Sequence, residues 1–131
     1  MTTGKLIMGV DDQAANLAFM NSVLKTAGYN FVGAATGADC LGLVHRAPPH
    51  LILLDIQMPF MDGIETCKKL RAISELNQTP ILFLTQRKTR NDLREGVAAG
   101  ANDFIIRPCH PDTLLQRVNH WLGKRLGPAP G

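Results

Sequence analysis

Short, unbroken apolar runs alternate along this chain with longer stretches whose apolar residues recur at helical spacing. Leu6 to Val10 is the first run, and it ends at the pair Asp11-Asp12. From about Gln13 to Ala27 the residues Leu17, Met20, Val23, Leu24 and Ala27 share one helical face, and Gly28 follows where a left-handed C-terminal residue is wanted. Phe31 to Ala35 reads as a weaker strand, and Gly37 to Arg46 as a short helix with Leu41 and Val44 inward, stopped by Pro48-Pro49. Leu51-Ile52-Leu53-Leu54 is then a fully buried strand with Asp55 at its tip, bounded by Met58-Pro59 and Asp62-Gly63.

The second half repeats the pattern. Asp62 and Glu65 have capping-box spacing for a helix that buries Ile64, Cys67, Leu70 and Ile73 and leaves Lys68, Lys69 and Arg71 wet. Pro80 to Leu84 is a fourth strand ending in Thr85. Thr89 and Asp92 again have cap spacing, for a helix through Ala99 closed by Gly100. That fourth helix is thinly anchored, with only Leu93, Val97 and a few alanines to face a core. Phe104-Ile105-Ile106 is the fifth strand and ends in Arg107-Pro108. Pro111 opens a last helix whose stripe Leu114, Leu115, Val118, Trp121 and Leu122 runs to Gly123.

Strands that are continuously apolar and separated by helices imply a parallel sheet covered on both faces, a doubly wound α/β fold. In such sheets the ligand lies outside the carboxyl ends of the strands. Asp11, Asp12, Asp55, Thr85 and Arg107 all follow strands at that edge, which gives this pattern a chemical meaning beyond helix capping.

Composition narrows the class. A chain of 131 residues, 45% hydrophobic, is one domain able to bury roughly two thirds of its unfolded surface without disulfides. Cys40, Cys67 and Cys109 are distant and odd in number, as free thiols in a reducing compartment would be. His45, His50, His110 and His120 form no metal-ligand spacing. No stretch has the length of a membrane span, and a cytoplasmic protein is expected. The net charge of +3 comes from clusters at Arg87, Lys88, Arg90 and Arg94 and at Lys124 and Arg125. Without interleaved aromatics these read as a solvated face, so nucleic-acid binding by this domain is not expected.

Three carboxylates on one pocket repel unless they share a proton or a cation. An all-oxygen cluster with room for water suits Mg²⁺. Beside that ion a carboxylate can act as a nucleophile toward phosphorus, giving an aspartyl phosphate. The added charge needs a hydroxyl donor and a cation nearby, which Thr85 and Arg107 are placed to supply.

Taken together, Asp11-Asp12, the stretch Leu53 to Pro59 with Met61-Asp62-Gly63, Thr85, Gly100 to Phe104 and Arg107-Pro108 resemble the receiver domain of two-component response regulators, from about Lys5 to Leu122. The resemblance implies a CheY-like, flavodoxin-like sheet of five parallel strands in the order 2-1-3-4-5 with five helices. Residues 1 to 125 would form the receiver and 126 to 131 a tail or linker. Asp55 would be the phosphoacceptor, with Mg²⁺ (or Mn²⁺) bound directly by Asp12, by Asp11 from behind it or through water, by Asp55 and by the backbone carbonyl of Gln57. Thr85 would move toward the phosphoryl group and Phe104 would turn inward behind it, although an aromatic in a strand also serves simple packing. A sensor histidine kinase or phosphotransfer protein would be the donor. The face made by the fourth helix, fifth strand and fifth helix would then change to bind a partner or output domain, or to pair two copies. The domain would be no enzyme beyond promoting its own phosphorylation and dephosphorylation.

Two departures stand out. Arg107 replaces the family's Lys, and a planar fork on a longer stem is not a compact ammonium. Gln86 replaces a small residue at the pocket mouth, while Gln57 and Arg87 occupy positions that tune phosphoryl lifetime in the family. An alternative reading is therefore a receiver-like binding module that no longer switches. A phosphatase with an aspartyl nucleophile would carry a second acid where Gln57 stands, and a flavodoxin a Ser/Thr/Gly-rich loop where Asp11 to Ala14 stand.

Overall fold

The computed structural model describes residues 3–86 and 89–125. In chain order the elements are β1 (Leu6–Val10), α1 (Ala14–Thr26), β2 (Asn30–Ala34), α2 (Gly37–Arg46), β3 (Leu51–Leu54), α3 (Gly63–Arg71), a single 3-10 turn (Ser74–Leu76), β4 (Ile81–Thr85), α4 (Arg90–Ala99), β5 (Asp103–Ile106) and α5 (Pro111–Arg125). The strands form one parallel sheet in the order β2-β1-β3-β4-β5. Strand order reverses between β1 and β3, as expected for a doubly wound sheet.

Alternation along the strands divides the core in two. Met8, Val10, Ile52, Leu54, Ile81 and Phe83 pack on α2, α3 and α4 through Cys40, Val44, Ile64, Cys67, Leu70 and Ala99. Ile7, Leu51, Leu53, Leu82, Leu84 and Ile105 pack on α1 and α5 through Met20, Leu24, Leu114, Val118 and Leu122. Every residue of β3 is fully buried, which is why its sequence shows no polar alternation.

Local signals account for most boundaries. Gly28 and Gly100 both take positive φ, at 94° and 108°. Asp62 and Thr89 accept from the backbone N–H three residues on, and Thr89 with Asp92 completes a reciprocal capping box. Four expectations are corrected. β2 starts at Asn30, whose N–H donates to the Lys5 carbonyl, and ends at Ala34. Ile73 lies beyond α3, at the start of the 3-10 turn, and packs on the core from there. α5 runs through Gly123 to Arg125, because Gly123 stays out of the positive-φ region and does not stop it. Val97 is 64% exposed: Asp92, Gly96 and Ala99 form the buried face of α4, and Val97 is turned away from it.

Candidate functional site

The sheet's own hydrogen bonding sets the register of the site. Beyond the last strand residues the parallel ladder continues: Asp11 N–H donates to Ala34, Asp55 N–H to Val10 and Arg107 N–H to Thr85, each at 3.0 Å. The tips of β1, β3, β4 and β5 are therefore fixed side by side, and so are the first atoms of each functional side chain. Gly63 lets the start of α3 close over the same edge; a Cβ there would lie 2.1 Å from the Asp55 carbonyl oxygen.

Asp11, Asp12 and Asp55 offer carboxylate oxygens that all lie within 4.8 Å of one another. Asp11 and Asp55 are buried and Asp12 is exposed. Asp11 is engaged through both oxygens, Oδ1 accepting from the Gln13 N–H at 2.9 Å and Oδ2 from Arg107 Nη1 at 2.7 Å. Asp55 Oδ1 accepts from the Gln57 N–H at 3.3 Å, its Oδ2 lies 3.3 Å from Arg107 Nη2, and the Thr85 side chain also hydrogen-bonds the carboxylate. Burial raises the Asp55 pKa above the ordinary aspartate value and the charge of Asp11 raises it further; Arg107, Thr85 and Gln57 pull it back.

The sequence expectations that Asp11, Asp12, Asp55, Thr85 and Arg107 share one edge agree with this geometry. Gln57 contributes its N–H to Asp55, and Gln86 lines the mouth of the cleft. Phe104 stands apart from the carboxylates. Its ring packs on Phe83 at 5.4 Å between centroids and fills the space over Gly96, so in this state it is a core aromatic between β4 and α4. The Arg107-Pro108 peptide is cis. Arg87 and Lys88, and the 126 to 131 tail, lie outside the described residues.

Sequence reasoning missed the opposite wall of the site. A cleft of about 300 Å³ opens from Asp55 and Arg107 between Gln13, Asn16 and Phe19 on one side and Pro108 and Cys109 on the other. The three-residue recurrence of Gln13, Asn16 and Phe19 along the start of α1 was the available signal. Burial raises the Cys109 thiol pKa, only partly offset by Arg107, so the thiol is not activated.

Residues 7–119 match the response regulator receiver domain family. The DNA-binding response regulator MtrA of Mycobacterium tuberculosis (strain ATCC 25618 / H37Rv) is 35% identical over 117 residues, covering 89% of this chain and 50% of that protein. A probable transcriptional regulator, ycf27, of Porphyridium aerugineum is 34% identical over 112 residues, covering 86% of this chain and 45% of its own. This chain thus spans about half the length of the curated relatives it matches. Among solved structures, the chemotaxis protein CheY4 of Vibrio cholerae superposes with a TM-score of 0.86 at 33% identity, covering 88% of this chain and 97% of that one. With the sheet order, the strand-tip acids and these matches together, the chain belongs to the response regulator receiver domain family, the signalling domains of two-component systems.

Proposed function

We propose that this domain accepts a phosphoryl group on Asp55, with Mg²⁺ or Mn²⁺, from the phosphohistidine of a sensor kinase or phosphotransfer protein, and passes the event to the α4, β5 and α5 face. The carrying observation is the Asp55 carboxylate: held at the end of β3, in hydrogen bond to Thr85, beside two further acids and facing a guanidinium.

The donor set fits the ion. Three hard oxygen donors, one of them exposed, leave space for the waters that Mg²⁺ retains. Asp12 and Asp55, with Asp11 directly or through water and the Gln57 carbonyl, would hold it; once bound, it would offset negative charge on the carboxylate and the incoming phosphoryl oxygens. One Asp55 oxygen forms the bond to phosphorus as the phosphorus–nitrogen bond breaks. The electron pair leaves with the imidazole nitrogen, which takes up a solvent proton. Thr85 and Arg107 supply a hydroxyl and a cation to the new oxygens. Gln86 at the cleft mouth, with Gln57 and Arg87, would set how easily donor and attacking water enter.

Support for a transmitting face comes from α4. Its buried side is Asp92, Gly96 and Ala99, a small apolar area for a ten-residue helix, as suits an element whose position a local charge can bias. Phe104 lies beneath it as the ring that would turn. For the partner we propose a downstream protein or an output domain, or a second copy meeting through this face, where Arg90 and Arg94 are exposed. No helix among the described residues is long and apolar enough to cross a membrane.

Intact mass after incubation with acetyl phosphate tests the chemistry. One added phosphoryl group should appear with Mg²⁺, be absent in EDTA, and be absent from Asp55→Asn. A wild-type protein that stays unmodified with Mg²⁺ would favour the binding-module alternative, in which the Arg107 fork keeps Asp55 occupied.

A further inference from the structure

We infer that copies of this chain associate head to tail, the Phe60 corner of one docking on the exposed α4 face of the next. This names a partner for the α4 face and rests on the reading of that face as a docking surface, though not on phosphoryl transfer.

Among the described residues the exposed large hydrophobic side chains are Phe60 and Val97. Phe60 stands clear of the protein at φ 70°, backbone that disfavours any side chain with a Cβ, so the isolated domain gains nothing from it. Beside it a shallow hollow of about 370 Å³ opens between the start of α2, Thr36 to Ala38, and the loop residues Pro59 and Met61, with Glu65 at its lip. Ring and hollow together form one apolar corner. Its rim is acidic: Asp62 and Glu65 are exposed at the start of α3 and Asp39 at the start of α2, while the basic residues of both helices lie in their last turns.

On α4 the residues Arg90, Arg94 and Val97, at i, i+4 and i+7, form one exposed stripe. Glu95 lies on the neighbouring stripe, where it accepts from Asn91 Nδ2. The two apolar patches therefore carry rims of opposite sign. Like charges meeting across an interface are costly: corner against corner sets Glu65 against its own kind, and α4 against α4 sets arginine against arginine. One corner on one α4 face removes both conflicts, because Phe60 covers Val97 while the α3 carboxylates meet Arg90 and Arg94. Such a contact is heterologous and leaves each pair with a free corner and a free face, so association can continue beyond two copies. An interface built on two apolar side chains belongs to the weak class, below roughly 1,200 Å², and forms only at high concentration.

Sedimentation equilibrium at up to about 1 mM protein, where so weak a contact is populated, tests the pairing. Wild type is compared with Phe60→Gly, which suits φ 70°, and with Val97→Asp, both changes to exposed side chains. We expect the weight-average mass of wild type to rise with concentration to about twice the monomer value, and each variant alone to stay monomeric. Mixed in equal amounts, the two variants should recover association that stops at dimers, since each pair joins the intact corner of a Val97→Asp copy to the intact α4 face of a Phe60→Gly copy. Wild type that remains monomeric, or a mixture that does, overturns the inference. If Phe60→Gly associates as wild type does while Val97→Asp does not, the α4 face docks on another surface; the inference then fails and the reading of that face stands. If Val97→Asp associates as wild type does, the reading of the α4 face fails with it.

Discussion

Asp55 carries its charge at a cost, because burial and the neighbouring Asp11 both favour its protonated form. With its folded-state pKa above the unfolded one, the folded protein binds more protons between the two values, so stability falls as pH rises through that window. In EDTA we expect Asp55→Asn to raise the urea midpoint at pH 7, and the advantage to disappear below about pH 4, where folded and unfolded chains both carry the proton. An advantage that grew toward low pH would contradict this. Phe60 shows a second residue-level cost: it stands fully exposed at φ 70°, a conformation that penalises any side chain with a Cβ. Replacing it with Gly removes that penalty without losing packing, and chemical denaturation should show a gain of about 0.5 kcal/mol. The acids were legible because each ends an apolar run. The Arg107 fork was not, since its two contacts join residues 96 and 52 positions away and depend on how neighbouring strand tips align.

Among the elements, α4 is the most exposed to disturbance. Its start and stop were readable from Thr89, Asp92 and Gly100, because caps are local chemistry. Its buried face was not, because all three residues that form it are small or charged, and apolar periodicity pointed to Val97 instead. Gly96 matters for what it lacks. A methyl there would lie 2.4 Å from the Phe104 ring and 3.1 Å from that of Phe83, so Gly96→Ala should displace the Phe104 ring and cost about 1–2 kcal/mol in the denaturation midpoint. Thr89→Ala should cost about 1 kcal/mol by removing the capping hydroxyl. On the other side of β5, Asp103 accepts from Arg117 and from the Trp121 indole at 2.9 Å, tying the strand that carries Phe104 to α5. No sequence periodicity announces such a tie, which is a meeting of side chains 14 and 18 residues apart.

At the scale of the whole molecule, the fold was legible because a parallel sheet buried on both faces leaves strands of unbroken apolar sequence between amphipathic helices. β3 lies at the middle of that arrangement, with Ile52 and Leu54 in one core and Leu51 and Leu53 in the other. Leu53→Ala should therefore cost about 2–5 kcal/mol and loosen the strand that carries Asp55, measurable as a lower melting temperature. The same strand links chemistry to transmission, since Asp55 reaches Thr85 at the end of β4 and β4 pairs with β5. Backbone hydrogen exchange, compared before and after phosphorylation with acetyl phosphate and Mg²⁺, tests that link most directly. We expect protection to change chiefly in α4, β5 and α5, and to stay unchanged in Asp55→Asn under the same treatment. Protein shown by mass to be phosphorylated on Asp55, yet with exchange unaltered across those three elements, would contradict the account.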